Sequence, residues 1–216
     1  MINAIKNSKL FSDLNEDDIK NGLLFFNSVN ESFAKNTIIK RPNDVLSAFG
    51  LVLSGAITVF MDDFDGNRLV MSRAVPGETF GESLCFLQKR SQVYIMATEQ
   101  TEILWLHCDS LFNSSDSDFA LTMRNRFIAL LASRALDMND RIQILSKYTI
   151  REKLITYFSQ CSARAAADTF IIPLDRASLA AYLGTERSAL SRELHKMKNE
   201  NIITIEKNKI TLIHQK

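Results

Sequence analysis

The chain has 216 residues, of which 46% are hydrophobic and 24% charged, with only 7 Gly and 3 Pro. That is ordinary globular composition, with room for one large or two modest domains, and it argues against a long disordered tract. The net charge of +1 conceals a split: residues 1–116 hold 10 Lys and Arg against 15 Asp and Glu, a net of −5, whereas residues 117–216 hold 16 against 10, a net of +6. The opening MINAIKNSKLFSDL lacks an apolar signal core, so no secretion signal is expected. The longest uncharged run, Val45 to Met61, is too short and too polar for a membrane span. Cys85, Cys108 and Cys161 form no C-x-x-C pair, which fits a reducing cytosol and gives no support to a zinc or iron–sulfur site; they are expected to be small buried hydrophobes.

Residues 8–30 are expected to form short helices, with Leu10, Phe11, Leu14, Ile19, Leu23 and Leu24 at helical spacing and Ser12 or Asp13 as a cap. From about Asn36 to Leu106 short β-rich runs alternate with turn signals. Asp65-Gly66 reads as a hairpin turn between Ile57–Met61 and Leu69–Ala74. Many short strands at this spacing predict a sandwich, jelly roll or barrel. Ser117 to Leu145 contains no Gly or Pro and predicts one long helix. Phe127, Leu131, Met138, Ile142 and Leu145 form an apolar stripe expected to pair two subunits, and a second stripe of Met123, Phe127 and Leu130 suits packing on the chain's own β domain. Thr149 with Glu152 three residues later predicts a capping box at the start of the next helix.

The stretch LDRASLAAYLGTERSALSRELHKMKNENII predicts two helices around a Gly-centred turn. Asp175 is the expected cap of the first, Gly184 takes the left-handed position after it, and Thr185 is the expected cap of the second. Leu190, Leu194 and Met197 are spaced to face a core, leaving Thr185, Glu186, Arg187, Ser188, Ser191, Arg192 and His195 outward. Arg can donate a bidentate pair to guanine O6 and N7, and Ser can bond bases or phosphate, so Arg192 and Arg187, then Ser188 and Ser191, with Thr185, are the expected DNA contacts. Lys196 and Lys198 are expected at phosphate or in water. Ile202–Ile205 and Ile210–Ile213 around Lys207-Asn208 complete a winged helix. The basic half of the chain is the half that carries it, as phosphate contact requires.

Taken in order, LVLSGAITVF, DFDGNRLVMSRAVPGETFGES, RSQVYIMATEQTEILWL, TIREKLITYF and LAAYLGTERSALSREL resemble the Crp/Fnr superfamily of bacterial transcription regulators over residues 8–214. The resemblance implies an α+β chain with a cyclic-nucleotide-binding-type β-roll (a jelly roll) as sensor over 1–116. A dimerisation helix over 117–147 and a winged helix-turn-helix over 148–216 follow. It also implies a cytoplasmic homodimer that binds double-stranded DNA, contacts RNA polymerase and has no catalytic or metal site.

By resemblance, Gly81, Glu82, Ser83, Arg90 and Ser91 match the ends of the loop that holds an anionic ligand, and Arg134, Met138 and Asn139 fall on the ligand-facing stretch of the long helix. Met138-Asn139 stands where cAMP binders carry a Thr-Ser pair, so the expected effector is an anionic or apolar small molecule other than cAMP. Arg134 either pairs with Glu82 or lifts its charge to solvent. No Cys precedes Cys85, which speaks against a cluster-type sensor, and His107 is expected at the surface. Ser188 stands where the family often has Glu, so the operator is expected to differ from the usual half-site. The alternatives are an interaction module whose winged helix binds protein and, more remotely, a cupin-like enzyme.

Overall fold

A computed structural model describes residues 2–62, 68–113, 117–172 and 174–213. The chain divides into two compact units, Met1–Ala132 and Ser133–Lys216. The division falls inside the long helix, not at either of its ends.

The first unit opens with two helices, α1 (Ile2–Asn7) and α2 (Glu16–Phe25). The cap of α2 is Asn15, whose side chain accepts from the Asp18 amide at 2.8 Å, and not the expected Ser12 or Asp13. Leu10, Phe11 and Ile19 are buried here, whereas Leu24 is exposed. Eight strands follow: β1 (Val29–Phe33), β2 (Ile38–Lys40), β3 (Ala48–Ser54), β4 (Ile57–Asp62), β5 (Arg68–Ala74), β6 (Thr79–Phe80), β7 (Tyr94–Ala97) and β8 (Thr101–His107). They form two four-stranded sheets, β1-β8-β3-β6 and β2-β7-β4-β5. β4 and β5 pair antiparallel as expected, while Asp65-Gly66 lies outside the described residues. β1 was not legible in advance, because its VNESF run is polar and largely exposed.

β3 is buried along most of its length. Phe49 meets Phe26 edge-on at 5.7 Å and Phe127 at a tilt at 5.3 Å. Gly50 points the other way, since successive strand residues alternate faces. Directly across from it in β6 stands Phe80, whose ring also meets Trp105 at 5.6 Å. A Cβ on Gly50 would sit 2.2 Å from the Phe80 ring, so this glycine is required by close approach and not by its backbone angle. The pair fixes the strand that leads directly into Gly81.

Two short helices, α3 (Glu82–Phe86) and α4 (Asp109–Asn113), follow β6 and β8. The structure joins Cys85 in α3 to Cys108, just before α4, as a disulfide with Cα atoms 6.4 Å apart. This corrects the expectation of separate buried thiols. Both are buried, but strand pairing brings together residues 23 apart in sequence, which spacing alone does not reveal. Cys161 is free.

α5 (Asp118–Leu145) spans the division. Its inner residues Ala120, Met123, Phe127 and Leu130 are buried in the first unit, and Ile144 is buried in the second. The second unit continues with α6 (Ile150–Ala165), β9 (Thr169–Ile171), α7 (Arg176–Leu183), α8 (Arg187–Asn199), β10 (Ile203–Glu206) and β11 (Lys209–Leu212). The last two strands form the expected hairpin and extend to a three-stranded sheet, β10-β11-β9. Thr149 and Glu152 make the expected capping box on α6. Leu154, Phe158, Leu179, Leu183, Leu190, Leu194, Met197, Ile203 and Ile210 fill one core.

Gly50→Ala is expected to destabilise the first unit by about 1–3 kcal/mol, the usual cost of overpacking a filled site. Adding Phe80→Leu should recover part of the loss. Urea unfolding of the wild type and the two variants checks this, and equal midpoints for Gly50→Ala and wild type would contradict the packing described.

Candidate functional site

The second unit builds an exposed face from ordinary helix rules. Asp175 caps α7 by accepting from the Ser178 amide at 2.7 Å, and that bond holds its carboxyl below the usual range. Gly184 ends the helix in the left-handed conformation, φ 60°, as expected. Lys153 from α6 donates to the Leu183 carbonyl at 3.0 Å, supplying a cation to the helix C-terminus.

α8 then starts at Arg187 with Glu186 as its cap residue. The expected Thr185 cap is not made: among the described residues the buried Thr185 hydroxyl has no hydrogen-bond partner, and no side chain caps the helix. Its amide instead closes the preceding turn on the Ala180 carbonyl at 2.9 Å. Thr185 is therefore half-buried within the turn, not part of the open face.

Leu190, Leu194 and Met197 are buried, as their spacing predicts. Arg187, Ser188, Ser191, Arg192 and His195 are exposed, and the last four repeat at steps of three, four and seven along one side. Lys196 and Lys198 are exposed in the final turn.

An anchor that the sequence reading missed holds this helix. Arg151, near the start of α6, donates from Nε to Glu193 at 2.5 Å and from Nη1 and Nη2 to Glu200 at 2.6 and 3.1 Å. Both carboxylates lie on or next to α8, so one guanidinium pins the helix at two points seven residues apart. The pairing raises the Arg151 pKa and lowers that of Glu200. No sequence signal short of the fold connects residues this distant. At the other end of α6, Arg164 reaches Asp140 at 2.6 Å and Asp137 at 3.5 Å, and Gln160 donates to the Asp140 carbonyl at 3.1 Å. These bonds tie the C-terminal part of α5 to α6.

On α5, Phe127 is corrected as an intersubunit residue. It is only 1% exposed and lies between Phe49 and Phe86 of its own unit. Leu131 is partly buried against the same core. Met138 and Ile142 are 65% and 59% exposed, and Leu145 is exposed as well. Leu121 and Ile128 were missed; they are also exposed. With Ala135 and Ile142 they recur every seven residues, and Leu131, Met138 and Leu145 supply the intervening step, which is the a/d pattern of a coiled-coil seam.

In the first unit, Gly81 enters α3 at φ 81°, where an added Cβ would meet Leu46 at 2.7 Å. Glu82 is buried, and its carboxylate accepts from the Thr79 hydroxyl. Ser83 is exposed. Arg90 is exposed and donates to the Asn43 carbonyl at 2.8 Å, while Ser91 is buried and bonds Val93. The two ends of the expected ligand loop are thus joined by one short helix and a turn, and the far end is pinned to residues 43–45.

A recess of about 200 Å³ opens elsewhere on the roll, lined by Glu31, Lys40, Ser47, Trp105 and His107 among others, and by none of the five loop residues. Trp105 donates to Glu31 there at 2.8 Å under the Lys40 ammonium. His107 is half-buried and lines this recess. Arg134, Met138 and Asn139 lie on the part of α5 that belongs to the second unit. Among the described residues no helix is long and apolar enough to cross a membrane, and no group of three or more His, Cys, Asp or Glu could hold a metal ion.

Comparison with known proteins matches both units. Residues 30–114 match the cyclic nucleotide-binding domain family, and residues 152–215 match the Crp-like helix-turn-helix domain family. The chain is 26% identical over 206 residues to the cyclic AMP receptor protein of Thermus thermophilus, covering 93% of this chain and 90% of that one. Among solved structures, the c-di-GMP-responsive global regulator CLP of Xanthomonas campestris aligns with a TM-score of 0.60 at 20% identity, covering 93% of this chain and all of that one. A CooA variant from Carboxydothermus hydrogenoformans aligns with a TM-score of 0.64 at 19% identity, covering 93% and 92%. A β-roll of the cyclic nucleotide-binding kind, a long helix and a Crp-like winged helix, matched in that order, make this chain a member of the Crp/Fnr superfamily of transcription regulators.

Proposed function

We propose that the chain acts as a homodimer in the cytoplasm, binds double-stranded DNA through the exposed face of α8, and is controlled by a small effector at the 81–91 loop. The observation that carries the DNA reading is the division of α8. One face is buried through Leu190, Leu194 and Met197, and the other presents Arg187, Ser188, Ser191 and Arg192, all exposed. A helix pinned by ion pairs on its flank and bare on its polar side suits insertion into the major groove.

Arg192 and Arg187 are the base readers, because a planar guanidinium matches the paired acceptors of guanine. Ser188 and Ser191 add shorter-range bonds, and Thr185 contributes at most by shaping the turn. Contact with RNA polymerase is part of the same reading, by family likeness. α5 supplies the dimer seam through Leu121, Ile128, Ala135, Met138, Ile142 and Leu145, since open-lying apolar residues at heptad spacing favour a second helix.

The effector does not transfer from relatives. One is named for cyclic AMP and another is described as c-di-GMP-responsive. In this chain Met138-Asn139 offers a thioether where a hydroxyl would bond adenine, which supports an anionic or apolar molecule other than cAMP. Gly81, Glu82, Ser83, Arg90 and Ser91 would receive it.

Three outcomes are expected. First, selection from random duplex DNA yields a motif for the wild type. Arg192→Ala then weakens binding to that motif by about 1–3 kcal/mol and relaxes one position, measured by fluorescence anisotropy with circular dichroism as a folding control. Unchanged affinity and motif would remove Arg192 from the reading face. Second, Ile128→Glu with Ile142→Glu shifts the protein from dimer to monomer in sedimentation equilibrium; a persistent dimer would place the interface elsewhere. Third, calorimetry of ligand-free protein with cAMP shows no tight binding, and a clear micromolar isotherm would reverse the effector assignment.

A further inference from the structure

The disulfide between Cys85 and Cys108 sits at the only helix of the candidate effector loop. Cys85 lies one turn after Glu82 in α3, and Cys108 marks the junction between β8 and α4. Both sulfurs are buried in the apolar core of the first unit. Next to Cys85, Phe86 stacks on Phe112 of α4 at 5.0 Å and on Phe127 of α5 at 5.5 Å. α3 has only five residues. A helix that short cannot hold itself together in water and depends on what pins it. Here the pins are the Phe86 contacts, the Glu82–Thr79 bond and the covalent link.

We propose that Cys85 and Cys108 are a reversible thiol–disulfide site that sets the order of the effector loop. A DNA-binding regulator works where thiols are kept reduced, and disulfides in that compartment are transient and redox-responsive. The chemistry needs a hydroperoxide as oxidant. When the short helix opens and exposes the pair to solvent, one thiol, as thiolate, attacks the peroxide oxygen and gives a sulfenic acid and an alcohol or water. The second thiol then attacks that sulfur, forming the S–S bond and releasing water. Two thiols lose two electrons and two protons, and the peroxide takes up both. A dithiol reverses the change by exchange. Oxidation fastens α3 to the β8–α4 junction; reduction leaves it held by noncovalent contacts alone. The regulatory meaning rests on the reading of this loop as the effector site, whereas the redox chemistry does not.

The test needs neither effector nor DNA, so its failure is separable from failure of the DNA or effector reading. Purified protein is treated with hydrogen peroxide or with dithiothreitol, then alkylated after denaturation and mapped by mass spectrometry. Cys161, half-buried with its thiol pKa pushed up by burial, is the internal reference. In the peroxide sample the Cys85 and Cys108 peptides should be joined within one chain, and dithiothreitol should restore both thiols. Hydrogen exchange of residues 79–91 should be at least about tenfold slower in the oxidised form. Cys85→Ala or Cys108→Ala should abolish that difference, and either variant suffices if the other fails to fold. Two free thiols after peroxide, a cross-link through Cys161, or a link that leaves loop exchange unchanged would each overturn the proposal.

Discussion

Much of this molecule depends on how the 28 residues of α5 are shared among their neighbours. A helix repeats every 3.6 residues, so its circumference is finite. Met123 and Phe127 complete the core of the first unit, with Ala120 and Leu130 also buried, and Ile144 enters the core of the second. What is left over is an open apolar row from Leu121 to Leu145. Because Phe127 is committed inward, the outward row cannot include it, and the two stripes are offset by a single step around the helix. A shift of one residue in either stripe would leave an aromatic ring in water or a β-domain core with a hole.

The second unit follows a different logic. Three helix ends are secured locally: Thr149 with Glu152, Asp175 with Ser178, and the Leu183 carbonyl with Lys153. Placement of α8 rests on apolar burial along one side and on Arg151 at the flank. This division of labour keeps the polar face of α8 uncommitted. Arg187, Ser188, Ser191 and Arg192 are exposed, in contrast to the buried row that seats the helix.

Local features were legible in the amino-acid sequence and long-range ones were not. The capping box at Thr149, the Asp175 cap, the Gly184 turn, the inward row of α8 and the terminal hairpin all depend on residues within a few positions of one another. Thr185 misled because a hydroxyl before a helix is a good cap only if it points at the free amides; here the turn buries it. β1 was invisible because an exposed strand with Asn, Glu and Ser carries no alternating pattern. Phe127 suited two stripes by spacing, and only the position of Phe49 and Phe86 decides between them. The Arg151 anchor and the Cys85–Cys108 link join residues that topology alone brings together.

The Arg151 anchor also bears on how ionic strength acts here. Its guanidinium and the Glu193 and Glu200 carboxylates are all partly open to solvent, so dissolved ions screen them. Salt also displaces a protein from phosphates by restoring the counterions around DNA. On the proposed DNA reading, one variable would act twice: it would weaken the grip on the duplex and loosen the clamp beside the helix. The dependence of affinity on salt would then count more charges than those that touch DNA, and the surplus would belong to this partly exposed clamp.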